Sequence, residues 1–589
     1  MDSFVQRLQE QSAKYGNGRW FAFVEDRRGA VTETGRLSYA GLEQRARGLG
    51  AWLAEAGMTD SPVLLLYPAG LEFLNAFFGC LYARSVAVPG PLPATDPRAL
   101  ERAEKIIRDA GIRLILTDAS NEDCLRQWLR RIGLDGRVGC ASTEGARLPV
   151  HRNWSDPAVN GQTTAYLQYT SGSTSEPKGV EIKHANLMHN SRQINTVLGS
   201  PRTGTGAGWL PHYHDMGLVG QFLQPLYSGG NLVFSSPITF VARPVIWLQM
   251  ISRYRAGFTM GPNFAYEWLV RGAREEDLAS LDISCLEWAL NGAEPVRAST
   301  LRKVSERFGP IGFRPRTWAP AYGMAESTVL VTGNRRGQGP RTGHFDPTML
   351  ERHRAVPVRG GPGSGVELVS SGSAVDADLR IVDHESRAVL QDGQVGEIWV
   401  ASESVAQGYW KNEAATEETF QACLADGTGP FLRTGDLGFL DDGSLFITGR
   451  LKELIIFNGR NLYPQDIEEA GRGAHPAAGP AAAFGVDTGR EHIVLVQEIY
   501  DQKLDGLSCG AVASQIRRAA EIAAGAPVSL FLVPRNSVLR TTSGKIRRQR
   551  IRELLLSRKI KPLRVEAPPS IRSLTPECSG SGTSTGRPE

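Results

Sequence analysis

Pro62-Val-Leu-Leu-Leu-Tyr67, Val86-Ala-Val88 and Arg113-Leu-Ile-Leu-Thr117 are short apolar runs, and the segments between them, 71–83 and 97–110, have helical length and pattern. Strand, helix and strand thus alternate, the pattern of a doubly wound α/β sheet with helices on both faces. Upstream, Ser38 stands where a helix cap belongs, and Leu42, Ala46, Leu49 and Leu53 recur at helical spacing up to Gly57. The alternation continues to about residue 330.

Beyond it the texture changes. Gly, Pro and Arg thicken between Thr332 and Gly365 with neither period persisting, so 332–370 reads as an inserted or irregular segment. From 367 to 449 short β-rich runs such as Glu397-Ile-Trp-Val400 and Ser444-Leu-Phe-Ile447 are punctuated by Asp-Gly turns at 392–393 and 442–443, which implies a β-subdomain. After Arg450, strands at 493–500 and 528–533 flank a helix at 511–524. The expected architecture is α/β: a large N-terminal domain (1–450) of doubly wound sheets plus the β-subdomain, then a small mobile α+β C-terminal domain (451–565). Residues 566–589, rich in Pro, Ser, Gly and Thr, are expected to be a disordered tail.

Composition narrows the function class. The chain has 589 residues, 41% of them hydrophobic, which calls for more than one domain. Lys and Arg total 66 against 62 Asp and Glu, a balance that gives no reason to expect a nucleic-acid partner. Asp2, Gln6, Arg7 and Glu10 interrupt the apolar core a signal peptide needs, and no apolar run reaches the roughly 18 residues that span a bilayer. The seven cysteines are scattered without CxxC spacing, as suits reduced thiols in a cytoplasmic protein.

The chemistry is carried by Tyr169-Thr-Ser-Gly-Ser-Thr-Ser-Glu-Pro-Lys-Gly179, which follows the apolar Ala165-Tyr166-Leu167. Glycine lets backbone N–H groups approach phosphate oxygens, hydroxyls add donors, and Lys178 adds charge. The spacing is not that of a Walker A loop, because Pro177 precedes Lys178 and Gly179 follows it. A flexible surface loop is the competing reading.

This loop resembles the phosphate-binding signature of the adenylate-forming superfamily of acyl-CoA synthetases, luciferases and peptide-synthetase adenylation domains. Further strings match that family in order, and the resemblance covers nearly the whole chain up to about residue 560. It implies that Thr170, Ser171, Gly172, Ser173, Thr174 and Lys178 hold nucleotide phosphates. Leu210-Pro-His-Tyr-His-Asp-Met-Gly217 resembles the motif at the mouth of the acyl pocket and implies that His214 lies near the substrate carboxylate. Asn291-Gly-Ala-Glu-Pro295 resembles the segment bordering adenine, which implies Gly292, Ala293 and Glu294. Ala321-Tyr-Gly-Met-Ala-Glu-Ser-Thr328 resembles the motif in which Tyr322 stacks on adenine, Gly323, Met324 and Ala325 border the nucleotide, and Glu326 holds Mg²⁺.

By the same resemblance, Asp436 in Arg433-Thr-Gly-Asp-Leu-Gly438 accepts both ribose hydroxyls, Arg450 contacts the nucleotide and Lys452 is the hinge. Lys545, in Leu539-Arg-Thr-Thr-Ser-Gly-Lys-Ile546, is the implied catalytic lysine: a cation there offsets the repulsion between a carboxylate and a triphosphate. An acyl pocket drawing on Trp209, Met216, Leu218, Phe222 and Met260 is a weaker expectation, since such residues are equally ordinary core.

The shared motifs imply adenylation from ATP with Mg²⁺, but not the acceptor. His-Asp-Met-Gly at 214–217, Gly459-Arg-Asn-Leu-Tyr-Pro-Gln-Asp-Ile467 and the long 332–370 segment resemble the fatty-acyl-AMP ligase branch. In that branch the insertion hinders the domain rotation that CoA thioester formation needs. The implied activity is conversion of a fatty acid to acyl-AMP with loss of pyrophosphate. The acyl group would then pass to the phosphopantetheine arm of a separate acyl carrier protein, or to a polyketide or peptide synthase. The basic stretch 540–564 is a candidate face for that partner. An acyl-CoA ligase and a non-catalytic acyl or nucleotide sensor stay open, the first revealed by a CoA product and the second by no pyrophosphate release.

Overall fold

In a computed structural model the described residues are 2–93, 97–144, 154–170, 177–199, 204–358, 365–504, 506–541 and 544–575. Pro62–Tyr67, Val86–Pro91 and Leu114–Thr117 are adjacent parallel strands of a six-stranded sheet. Gly139–Ser142 flanks them on one side, and Thr164–Tyr169 with the antiparallel Gly179–Lys183 on the other. The helix Tyr39–Glu55 starts where the sequence indicated, with Ser38 Oγ accepting from the Gly41 N–H at 3.1 Å.

A second sheet of nine strands has a parallel centre: Trp318–Tyr322, Trp288–Gly292, Phe258–Pro262, Thr205–Gly208, Asn231–Phe234 and Trp20–Arg27, in that spatial order. The helix Leu71–Tyr82 is buried from Phe73 through Tyr82 and touches strands of both sheets. An all-round apolar helix has to be enclosed in this way. Its Phe73, Phe77 and Phe78 belong to the main core.

The β-rich stretch forms a four-stranded antiparallel sheet from Asp378–Val382, Gly396–Ala401, Leu432–Asp441 and Ser444–Arg450. A C-terminal sheet combines Ala478–Asp487, Glu491–Ile499, Val528–Val533 and Arg564–Glu566, and the helix Cys509–Ala524 connects its one parallel pair. Two features depart from the sequence reading. The aperiodic segment contains a hairpin, Thr342–Phe345 with Val366–Val369, and a short helix at Pro347–Leu350. The start of the expected tail is ordered: Pro569–Arg572 is helical and Ile571 is fully buried in one cluster with Phe531 and Leu555. Residues 576–589 lie outside the described residues. No helix among the described residues is long and apolar enough to cross a membrane.

Candidate active site

The parallel centre of the nine-stranded sheet places several motifs at one edge. Strands ending at Gly208, Pro262, Gly292 and Tyr322 all point the same way, so the segments that leave them meet outside their carboxyl ends, the usual location of ligands in open α/β sheets. A cavity of about 750 Å³ opens there, and residues from the four-stranded and C-terminal sheets complete it. Thr170, His214, Met216, Gly292, Ala293, Glu294, Tyr322, Gly323, Met324, Ala325, Glu326, Asp436, Arg450 and Lys545 all line it. Ser171, Gly172, Ser173 and Thr174 lie outside the described residues, whose ends are joined by the Thr170 N–H donating to the Lys178 carbonyl at 3.3 Å.

Asp436 is the best-anchored group. Tyr322 Oη donates to its Oδ2 at 2.8 Å, and Arg450 Nε donates to its Oδ1 at 2.8 Å. Its strand is held from behind by Arg433, whose Nε and Nη2 lie 3.0 and 2.8 Å from the buried Glu397 carboxylate. Glu397 also accepts from the Gly435 N–H at 3.2 Å. Thus Arg433, in the same motif as Asp436, serves position rather than ligand contact. Gly323 is required sterically: any Cβ there would collide with the Val329 carbonyl.

Lys545 enters from the C-terminal part of the chain. Its loop is closed by the Thr541 N–H donating to the Lys545 carbonyl at 2.7 Å and the Lys545 N–H donating to Thr541 Oγ1 at 3.0 Å. Burial, and next the like charge of Arg450, push the ammonium pKa down, while Asp215, Asp436 and Glu294 oppose that shift. The cation therefore sits among the motif carboxylates, partly desolvated, where its charge acts most strongly. Burial raises Glu294 despite the Phe264 N–H donating to its Oε1 at 2.5 Å.

His214 and Asp215 form a pair, with Nδ1 2.6 Å from Oδ1, so the ring proton belongs on Nδ1. Burial tends to raise the Asp215 carboxyl, but His214, Lys545 and the Met216 N–H together hold it below the usual range. Asp215 was legible within the quoted motif, yet its partnership was not. His212, two residues before His214, is core: it stacks on Phe73 at 4.0 Å, and burial lowers its pKa to about 3.

Glu326 lines the cavity and accepts from Tyr409 Oη at 2.9 Å. Burial raises its pKa. Tyr409 carries no motif signal; it arrives because the Trp410 N–H donates to the Gly179 carbonyl at 2.8 Å. Among the described residues no three His, Cys, Asp or Glu side chains are grouped to hold a metal. Glu326, half-buried and facing a roomy cavity that Asp215, Asp436 and Glu294 also line, fits Mg²⁺, which keeps waters and phosphate oxygens beside one or two carboxylates.

Other expected residues are placed elsewhere. Lys178 does not line the cavity; its Nζ stands 4.8 Å from the centroid of the Tyr409 ring. Lys452 lies in the turn Leu451–Glu453 and its carbonyl accepts from Gln549 Nε2 at 3.1 Å. Of the five side chains expected around the acyl chain, Met216 alone lines this cavity. Trp209, Leu218, Phe222 and Met260 are core: Trp209 stacks on Phe240 at 3.8 Å, Phe222 packs edge-on against Phe234, and Leu218 and Met260 are buried beside them in the same cluster. Strand and helix apolar residues serve packing first. Trp209→Ala should accordingly cost about 3–5 kcal/mol of stability, measured by denaturant unfolding, with chain-length preference unchanged. Normal stability with altered preference would return Trp209 to the acyl pocket.

Comparison with known proteins gives the family. The family described as AMP-binding enzyme matches residues 8–410. The medium-chain-fatty-acid acyl-carrier-protein ligase JamA of Moorena producens is 40% identical over 563 residues, which is 93% of this chain and 94% of that one. The long-chain-fatty-acid AMP ligase FadD32 of Mycolicibacterium smegmatis is 34% identical, covering 91% of each chain. A solved fatty acid AMP ligase from Legionella pneumophila superposes with a TM-score of 0.73 at 33% identity, over 96% of this chain and 97% of that one. Sequence, site and relatives converge, and the chain belongs to the AMP-binding enzyme family.

Proposed function

We propose that this protein is a cytoplasmic fatty-acyl-AMP ligase that uses ATP and Mg²⁺ and delivers its acyl group to a separate carrier protein. The observation that carries this reading is the meeting of Lys545 with Asp215, Asp436 and Glu294 in one cavity. A fatty-acid carboxylate oxygen attacks the α-phosphorus of ATP, the bond from that phosphorus to the bridging oxygen of the β-phosphate breaks, and pyrophosphate leaves with that oxygen. Lys545 offsets the charge that gathers between attacking oxygen and phosphate. Asp436 receives the ribose hydroxyls, Tyr322 offers its ring to adenine, and His214, oriented by Asp215, faces the carboxylate. Glu326 would hold Mg²⁺, which when bound neutralises phosphate charge.

Delivery to a carrier is favoured over CoA by what the 332–370 segment does. Arg460, beyond the hinge, binds Glu351 bidentately through Nε and Nη2 at 2.8 and 2.7 Å, and Asn461 Nδ2 lies 2.8 Å from His353 Nε2. These contacts tie the C-terminal part to the insertion and oppose rotation about Lys452. The basic stretch 540–564 supports carrier docking less than its composition suggests, because Arg548, Arg550 and Arg564 are paired with Glu453 and Glu468, Glu553, and Glu566. Arg558, Lys559 and Lys561 are exposed and available to meet an acidic partner, as is Arg540 at the cavity.

The test is pyrophosphate release across fatty acids of increasing length, with products identified by mass with and without CoA. Acyl-AMP as the product in both arms is expected. Stoichiometric acyl-CoA would replace this reading with that of the relatives named putative fatty-acid CoA ligases, such as the 36% identical fadD25 of Mycobacterium tuberculosis.

A further inference from the structure

With Lys178 directed to Tyr409, the cavity needs another source of positive charge for the outer phosphates, and two arginines that no motif assigns are placed to supply it. Arg102, on the helix Pro97–Ala110, lines the cavity beside the start of the phosphate loop; its Nη2 lies 3.5 Å from the Tyr169 carbonyl and 3.3 Å from that of Thr170. Arg547 follows Lys545 by two positions, lines the same cavity, and has its backbone fixed by its N–H donating to the Leu539 carbonyl at 2.9 Å.

Both guanidiniums are incompletely satisfied. The Nε of Arg102 and the Nε of Arg547 are buried without a hydrogen-bond partner, and among the described residues neither side chain has a carboxylate within ion-pairing distance. Neighbouring Arg548 differs sharply: Glu453 and Glu468 occupy its fork at 2.5–2.8 Å. Burial, followed by repulsion from Arg547, lowers the Arg102 pKa, so the two cations stand close enough to oppose each other. Like charges held together in a partly dry cavity are unfavourable unless an anion belongs between them. The guanidinium fork matches phosphate oxygens bidentately.

We propose that Arg102 and Arg547 form the seat of the β- and γ-phosphates of ATP, and hence of the departing pyrophosphate. The assignment rests on the adenylating reading above and deepens it: Lys545 serves the α-phosphate, and these arginines serve the leaving group.

The test is calorimetric titration of the full-length protein with inorganic pyrophosphate in the presence of Mg²⁺, and separately with AMP. Arg102→Gln and Arg547→Gln should each weaken pyrophosphate binding about tenfold or more, as for a lost charge-assisted hydrogen bond, with AMP affinity unchanged. Arg102→Lys, which keeps the charge without the fork, should fall between. Unchanged pyrophosphate affinity would overturn the proposal, as would equal loss of AMP affinity, which would mean that Arg102 only braces the Tyr169 and Thr170 carbonyls. No pyrophosphate binding by the wild-type protein would also overturn it. Fatty-acid-dependent exchange of pyrophosphate into ATP by the wild-type protein reports the adenylating activity separately, so it survives even if the arginine seat does not.

Discussion

Lys545→Ala should lower fatty-acid-dependent pyrophosphate release by about three orders of magnitude while leaving ATP binding within a few-fold of wild type. The magnitude follows from preorganised electrostatic stabilisation, where one lost donor typically costs about 10²–10³ in rate, and Lys545 brings a full charge into a buried site. The division between rate and binding follows from timing. Repulsion between carboxylate and phosphate peaks at the transition state, so the lysine acts mainly on kcat. The nucleotide keeps its other contacts, Asp436 and Tyr322 among them. Single-turnover measurement with saturating ATP and acid reads the first quantity, and equilibrium binding of a non-hydrolysable ATP analogue reads the second. A near-normal rate would remove Lys545 from the chemistry.

Asp436→Ala should have the opposite signature. Its carboxylate is held by Tyr322 and Arg450 at 2.8 Å each and is only 8% exposed. Removing it takes away both ribose acceptors and leaves Arg450 without its partner in the cavity. Each charge-assisted hydrogen bond is worth about 1.5–3 kcal/mol, so loss of two should lower ATP affinity about 10²–10⁴-fold. Asp436→Asn, which retains one acceptor oxygen, should lose less. Binding of ATP and of AMP should weaken in parallel, since both carry the ribose. A loss confined to kcat with normal nucleotide binding would show that Asp436 acts elsewhere.

How far the sequence reaches can be seen in particular residues. Pro62–Tyr67 is legible because a fully buried strand is apolar throughout, and Ser38 because a cap needs a hydroxyl at one position. Glu326 and Asp436 are legible because their neighbours are constrained too: Gly323 by the nearby Val329 carbonyl, and Arg433 by Glu397. Tyr409, Arg102 and Arg547 are not legible. Tyr409 reaches Glu326, and Arg102 and Arg547 reach the cavity, through tertiary packing, and a lone Tyr or Arg has no spacing that announces its destination. The hairpin across 342–369 was hidden for a related reason, because its four-residue strands are too short and too far apart to show a period. Trp209 and Phe222 show the converse limit: the sequence leaves an apolar ring open to pocket or core, and the structure stacks Trp209 on Phe240 and sets Phe222 edge-on against Phe234.

The central claim is that the cleft joins a fatty-acid oxygen to the α-phosphorus of ATP. It is tested most directly by supplying fatty acid labelled with ¹⁸O in its carboxylate and weighing the nucleotide after transfer to a carrier thiol. Attack at the α-phosphorus predicts AMP bearing one heavy oxygen, retained when the acyl carbon–oxygen bond breaks, and unlabelled pyrophosphate. Unlabelled AMP, or label appearing in orthophosphate beside ADP, would contradict it.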